Sequence, residues 1–148
     1  MKKVQKYSNW ILVLIWMVII FIFSSDPAAV SDQKSGVVIQ ILSNLGIDLN
    51  SAFGRLSNFI VRKIAHFTEY FILYMFLSNA LINYDIDKNK ITRGKALAVA
   101  LLVTFIYACN DEFHQTFIPG REGRFRDVMI DTSGGLLGMI LVKRLIKK

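Results

Sequence analysis

The sequence is poor in cysteine, proline and charge. Its one cysteine, Cys109, lies inside an apolar run, which excludes a disulfide scaffold and a cysteine zinc site. Two prolines and nine glycines in 148 residues exclude a collagen-like or disordered chain. Charged residues make up 20%, against about 25% in an ordinary soluble domain, and acids are the scarcer sign, 11 against 18 basic residues. Hydrophobic residues take up 53% of the chain, in long runs. That excess needs a non-aqueous surrounding and points to a small integral membrane protein.

A helix crossing about 30 Å of hydrocarbon needs roughly 20 mostly apolar residues. Four segments meet this length, at about 7–25, 62–83, 95–117 and 126–143. The expected fold is all-α, a four-transmembrane-helix bundle forming a single membrane domain over residues 1–148. The first segment also reads as a signal peptide, with Lys2 and Lys3, an apolar core, then Pro27, Ala28 and Ala29. Asp26 and Pro27 serve equally well as a helix stop, and the charge distribution works with the segment retained.

Basic residues fall in three short segments: Lys2, Lys3 and Lys6; Lys88, Lys90, Arg93 and Lys95; and Lys143, Arg144, Lys147 and Lys148. Against these eleven stand only Asp85 and Asp87, a net of +9 that leaves −2 for the rest of a chain whose total is +7. Lysine and arginine near span ends stay on the cytoplasmic side, so both termini are expected there, in a multi-pass protein of the cell membrane. Charge spread in this way needs no nucleic acid to explain it.

Between the first two segments, Val37, Val38, Ile41, Leu42 and Leu45 recur at helical spacing, as do Phe53, Leu56 and Ile60 after Asn50, a plausible cap. Two short interfacial helices in the first external loop are expected, as connectors or as a lid over a site.

Ionisable groups within spans cost about 2.5 to 3.5 kcal/mol each on insertion scales, so they tend to face a bundle interior and to have a function. In the expected orientation they gather at one depth. His66 and Glu69 share a face in the outer half of the second span; Asp111, Glu112, His114 and Gln115 end the third; Asp127 and Asp131 begin the fourth. The loop from Phe117 to Arg126 carries Arg121, Arg124 and Arg126. Pro119 and Gly120 favour a tight turn that folds Arg121 back over the bundle end, where its fork suits carboxylate or phosphate.

Several chemistries fit this cluster. Two imidazoles and several carboxylates can ligate zinc, manganese or iron, although no His-Glu-x-x-His pattern occurs, so the metal and any cofactor stay unknown. Acid–base catalysis by a histidine and a carboxylate is an alternative, and a polar layer that only locks helices together is a third. Cys109, Tyr70, Tyr74 and Phe71 read as packing, and Glu112 as a side chain reaching the headgroup region. Gly134 and Gly138 stand at GxxxG spacing, which serves close helix packing and is also compatible with a homodimer.

The run from Arg62 to Tyr70, the run from Asp111 to Arg121, and Asp127, Asp131 and Gly135 resemble the VanZ-like family of small membrane proteins; Phe23, Ser24 and Ser25 fit the same pattern. The resemblance implies a polytopic membrane protein and an association with low-level resistance to the glycopeptide teicoplanin in Gram-positive bacteria. It carries over Lys63, His66, Glu69, Tyr70, Asp111, Glu112, His114, Gln115, Arg121, Asp127 and Asp131 as motif residues. Among these, His66, Glu69, Asp111, His114, Asp127 and Asp131 are the candidate catalytic residues, and Lys63, Tyr70, Glu112, Gln115 and Arg121 the candidate ligand contacts. The expected partners are membrane lipids and a lipid-linked cell-wall precursor. The leading expectation is that the cluster binds such an anionic envelope component; the rival is a membrane-embedded enzyme that modifies one.

Overall fold

A computed structural model describes residues 2–85 and 92–146, and within them the chain is all-helical, with no strands. Six α-helices follow one another: α1 (Lys2–Ser24), α2 (Ala28–Asn44), α3 (Leu49–Phe53), α4 (Ser57–Asp85), α5 (Arg93–Gln115) and α6 (Phe125–Ile146). A single 3-10 turn, Gly54–Leu56, joins α3 to α4. Asp87, Lys88, Lys90, Lys147 and Lys148, which take part in the charge pattern, lie outside the described residues.

Each boundary has a local cause. Helix α1 stops at Ser24 because Pro27 disfavours helical geometry at Asp26, and Pro27, at φ −53 and ψ 152, then leads into α2. Helix α2 ends at Asn44 and is closed by Gly46, whose φ of 88 lets Ile47 N–H reach Leu42 C=O (2.9 Å) and Gly46 N–H reach Ser43 C=O (3.0 Å), a Schellman closure. The cap expected at Asn50 is instead Asp48, whose Oδ1 accepts from Asn50 N–H (3.0 Å) and Ser51 N–H (3.1 Å). The helix expected through Phe53, Leu56 and Ile60 is interrupted at Gly54, at φ 54, so Leu56 falls in the 3-10 turn and Ile60 in α4. Helix α4 therefore begins at Ser57, ahead of the expected 62.

Helix α4 is central and packs against α1, α2, α5 and α6. Its Tyr70, Leu73, Tyr74 and Leu77 are buried. Helix α5 meets the core through Ala96, Ala100, Thr104 and Ala108, four residues apart along one face and all fully buried. Small side chains in that register let helices approach closely. Gly134 and Gly138 do the same for α6: a Cβ at Gly134 would lie 2.2 Å from the Phe67 carbonyl oxygen, and one at Gly138 2.7 Å from the Tyr74 ring. The face offered by the GxxxG pair is thus occupied by α4 of the same chain.

Polarity is inverted relative to a water-soluble bundle. Asp111, Glu112, Gln115, Asp127 and Asp131 are buried, while Ile11, Leu14, Val18, Ile22, Leu102, Ile106, Leu136 and Leu145 are exposed. Two helices, α1 over Tyr7–Ser24 and α5, are long and apolar enough to cross a membrane. Among the described residues α4 and α6 do not reach that measure: α4 carries Arg62, Lys63, His66 and Glu69 in its first half, and α6 has Arg126, Asp127 and Asp131 near its start and Lys143 and Arg144 in its last turn.

Candidate functional site

Four helices, α1 and α5 running one way and α4 and α6 the other, bring their polar groups to one end: the last turn of α1, the first half of α4, the last turns of α5 and the first turns of α6. Asp111 Oδ2 accepts from Ser24 Oγ (2.7 Å) on α1 and from Gln115 Nε2 (3.2 Å) one turn along α5. Lys63 Nζ on α4 pairs with Asp127 Oδ2 on α6 at 2.7 Å. One turn deeper, His66 Nδ1 stands 3.8 Å from Asp131 Oδ1, too far for a hydrogen bond. The Tyr70 hydroxyl, on a fully buried ring, lies beside Asp111.

Arg121 closes this end as its turn predicts. Gly120, at φ 74, turns the chain, and Arg121 Nε donates to the Asp26 carbonyl (3.1 Å) while Nη1 reaches Gln115 Oε1 (3.5 Å). The Gln115 amide therefore links Arg121 to Asp111, which do not pair directly. Burial and the neighbouring Arg62 push the Arg121 guanidinium below the usual arginine pKa, against the pull of Asp26, Asp111 and Glu112. Among the described residues Arg121 has no carboxylate within 4 Å, unlike Lys34, Arg62, Lys63 and Arg124, which pair with Asp26, Asp32, Asp127 and Glu122.

Two cavities meet at Arg62, His66 and Arg121. One, about 250 Å³, is lined by five cations, Arg62, Lys63, Arg121, Arg124 and Arg126, against Glu122 and Asp127, so its lining favours an anion. The other, about 240 Å³, runs between α2 and α4 past Phe23, Val38, Val61 and Ala65 to Glu69. Helix α2 is a wall of that cavity as well as a connector: Arg62 Nη1 reaches Asp32 Oδ1 at 3.2 Å, and Ala28 N–H donates to the Pro119 carbonyl at 3.2 Å.

A model of the VanZ/LLP1 family matches residues 9–147, nearly the whole chain. The chain belongs to this family. No curated protein and no solved structure matches it.

The site residues expected from the sequence separate into groups. His66, Asp111 and Asp131 come together, with Lys63 and Asp127 above them and Glu69 along the cavity between α2 and α4. His114 is turned aside: its ring rests on Phe21 of α1, centroids 4.6 Å apart, and it lines neither cavity. Glu112 does not reach toward headgroups. It is 5% exposed, and its Oε2 accepts the Arg124 backbone N–H at 2.9 Å, tying the α5–α6 loop to the bundle.

We expect Glu112→Ala to lower stability by about 1 to 2 kcal/mol and to speed hydrogen exchange at the Arg124 amide, whereas Glu112→Gln, which keeps an acceptor, changes both far less. Unchanged exchange in the alanine variant would remove this anchoring role. Ser24 and Arg62 carry the family resemblance in the sequence and Asp26 reads there as a helix stop, but the sequence assigns none of the three to the site and offers the α2 region only as a connector or a lid.

Proposed function

We propose that α1, α4, α5 and α6 of this VanZ-family chain each cross the membrane, with both termini cytoplasmic, and that the polar end, facing outward, binds the anionic headgroup of a phospholipid or lipid-linked cell-wall precursor. Binding there limits access of glycopeptides such as teicoplanin to their target. The four-span reading is supported by the exposed apolar belts of α1, α5 and α6 and by the exposed Arg93, Lys95, Lys143 and Arg144 at the opposite end. The observation that carries the binding reading is Arg121: half-buried, without a carboxylate partner, and set where the basic cavity meets the apolar one. A guanidinium in that position presents free donors to a phosphate, and the neighbouring apolar wall suits the chain attached to it.

The test is glycopeptide susceptibility of a Gram-positive host expressing wild type or Arg121→Ala at matched membrane levels. The proposal expects protection by wild type that falls to the empty-vector level in the variant. Equal protection by both would contradict the assignment of Arg121, and no protection by either would remove the link to resistance.

One observation favours a second reading, that of an enzyme acting on a lipid-linked substrate. Glu69 lines the apolar cavity one turn from His66, and its carboxylate makes no hydrogen bond to another described residue, leaving it free to exchange a proton with a bound molecule. In that case Glu69→Gln retains lipid binding and abolishes formation of a modified envelope lipid. An identical envelope lipid profile with and without the protein would count against catalysis.

A further inference from the structure

Below Lys63 and Asp127, His66, Asp111 and Asp131 each present one ligand atom, and these three atoms lie within 4.8 Å of one another. They are unusual in what they lack. His66 Nδ1 and Asp131 Oδ2 are buried with no hydrogen-bond partner, and Asp111 Oδ1 and the Tyr70 hydroxyl have none but each other. Asp131 is 1% exposed, so its free oxygen has no access to bulk solvent. Two carboxylates brought this close in a buried setting are accommodated either by a shared proton or by a cation between them. The cations flanking His66 do not sit between the two carboxylates: Lys63 pairs with Asp127, Arg62 with Asp32, and Arg121 has no carboxylate within 4 Å among the described residues.

We propose that His66, Asp111 and Asp131 form a divalent metal site at the base of the polar chamber. Metal bonds of about 2.0 to 2.2 Å place two ligand atoms up to roughly 4.4 Å apart across a shared ion, so a cluster spread over as much as 4.8 Å closes slightly when the ion binds. The 3.8 Å between His66 Nδ1 and Asp131 Oδ1 is long for a hydrogen bond and lies within that reach. Asp111 is held as a ligating carboxylate is commonly held: Ser24 and Gln115 both donate to Oδ2, which fixes the group and leaves Oδ1 unclaimed by either. The Tyr70 hydroxyl stands beside Asp111 as a further oxygen. One imidazole and two carboxylates suit Mn²⁺, Fe²⁺ or Zn²⁺. His66 also lines both cavities, so an ion there lies next to the space assigned to the headgroup.

The test uses the full chain in detergent, stripped with chelator and titrated with Mn²⁺ or Zn²⁺ alone, by calorimetry and by thermal unfolding without lipid. The expected result is one saturable ion per chain and a rise in Tm with metal. Asp131→Asn and His66→Gln each weaken binding at least tenfold, while Asp48→Asn, at a distant helix cap that asparagine also fills, leaves it unchanged. Should Asp131→Asn fail to fold, His66→Gln decides. Absence of saturable binding by the wild type, or equal affinity in wild type and His66→Gln, would overturn the metal site and leave the headgroup reading to its own test.

Discussion

Replacing Gly134 by valine is expected to abolish a stable, monodisperse fold. The added Cβ would lie 2.2 Å from the Phe67 carbonyl oxygen and 3.1 Å from the Phe71 amide nitrogen, both backbone atoms of α4 that cannot rotate away. Relief requires α4 and α6 to separate, which disturbs the approach of His66 to Asp131 and the Lys63–Asp127 pair, one and two turns along the same interface. The cost exceeds the usual 1 to 3 kcal/mol of an overpacked core, because no side chain can yield, and about 4 kcal/mol or more is expected. Gly94→Ala is the matched control: nothing lies within 4 Å of its Cβ position, and its effect stays within about 0.5 kcal/mol. Thermal unfolding and size-exclusion profiles of the two variants in detergent check this, and a Gly134→Val chain as stable as wild type would refute the close α4–α6 contact.

The second large effect is expected at Lys63. Its ammonium lies 2.7 Å from Asp127, and the two side chains are 21% and 10% exposed, so the pair is mostly shielded from water. Lys63→Met leaves the Asp127 carboxylate buried, with only Arg126 Nε at 4.0 Å, and the expected loss is about 2 to 4 kcal/mol. Adding Asp127→Leu removes the stranded charge and returns most of that stability, since an apolar pair of similar volume replaces a buried ion pair at little or no cost. This double variant separates a structural polar layer from a binding one. If the layer only locks helices, the double variant behaves as wild type in every assay. If the chamber binds an anion, it folds but takes up anionic lipid poorly.

Convergence of the polar groups was legible in the sequence because ionisable residues inside apolar runs stand out, and helical spacing assigns them to faces. His66 with Glu69, Asp111 with Gln115, and Asp127 with Asp131 are local relations of three or four residues. What joins them across helices was not legible. Ser24 meets Asp111 across 87 residues of chain, and a serine at the end of an apolar helix carries no spacing that names its partner. The same holds for the turning of His114 onto Phe21, which depends on where α1 packs. Helix α2 repeats its apolar residues as a membrane-surface helix does, and only its docking on α4 makes it the wall of a cavity. Asp48 and Asn50 are both good caps two positions apart, and the choice fell to the one preceding the turn that Gly54 then ends.

The central claim is that Arg121 and the cations around it hold an anionic headgroup. Titrating the detergent-purified chain with short-chain phosphatidylglycerol and, separately, zwitterionic phosphatidylcholine tests it most directly. The account predicts saturable, salt-sensitive binding of the anionic lipid, markedly weaker binding of the zwitterionic one, and a loss of at least about tenfold for the anionic lipid in Arg121→Ala, the worth of one charge-assisted hydrogen bond. Equal affinity for both lipids, or wild-type affinity in a folded Arg121→Ala chain, would contradict it.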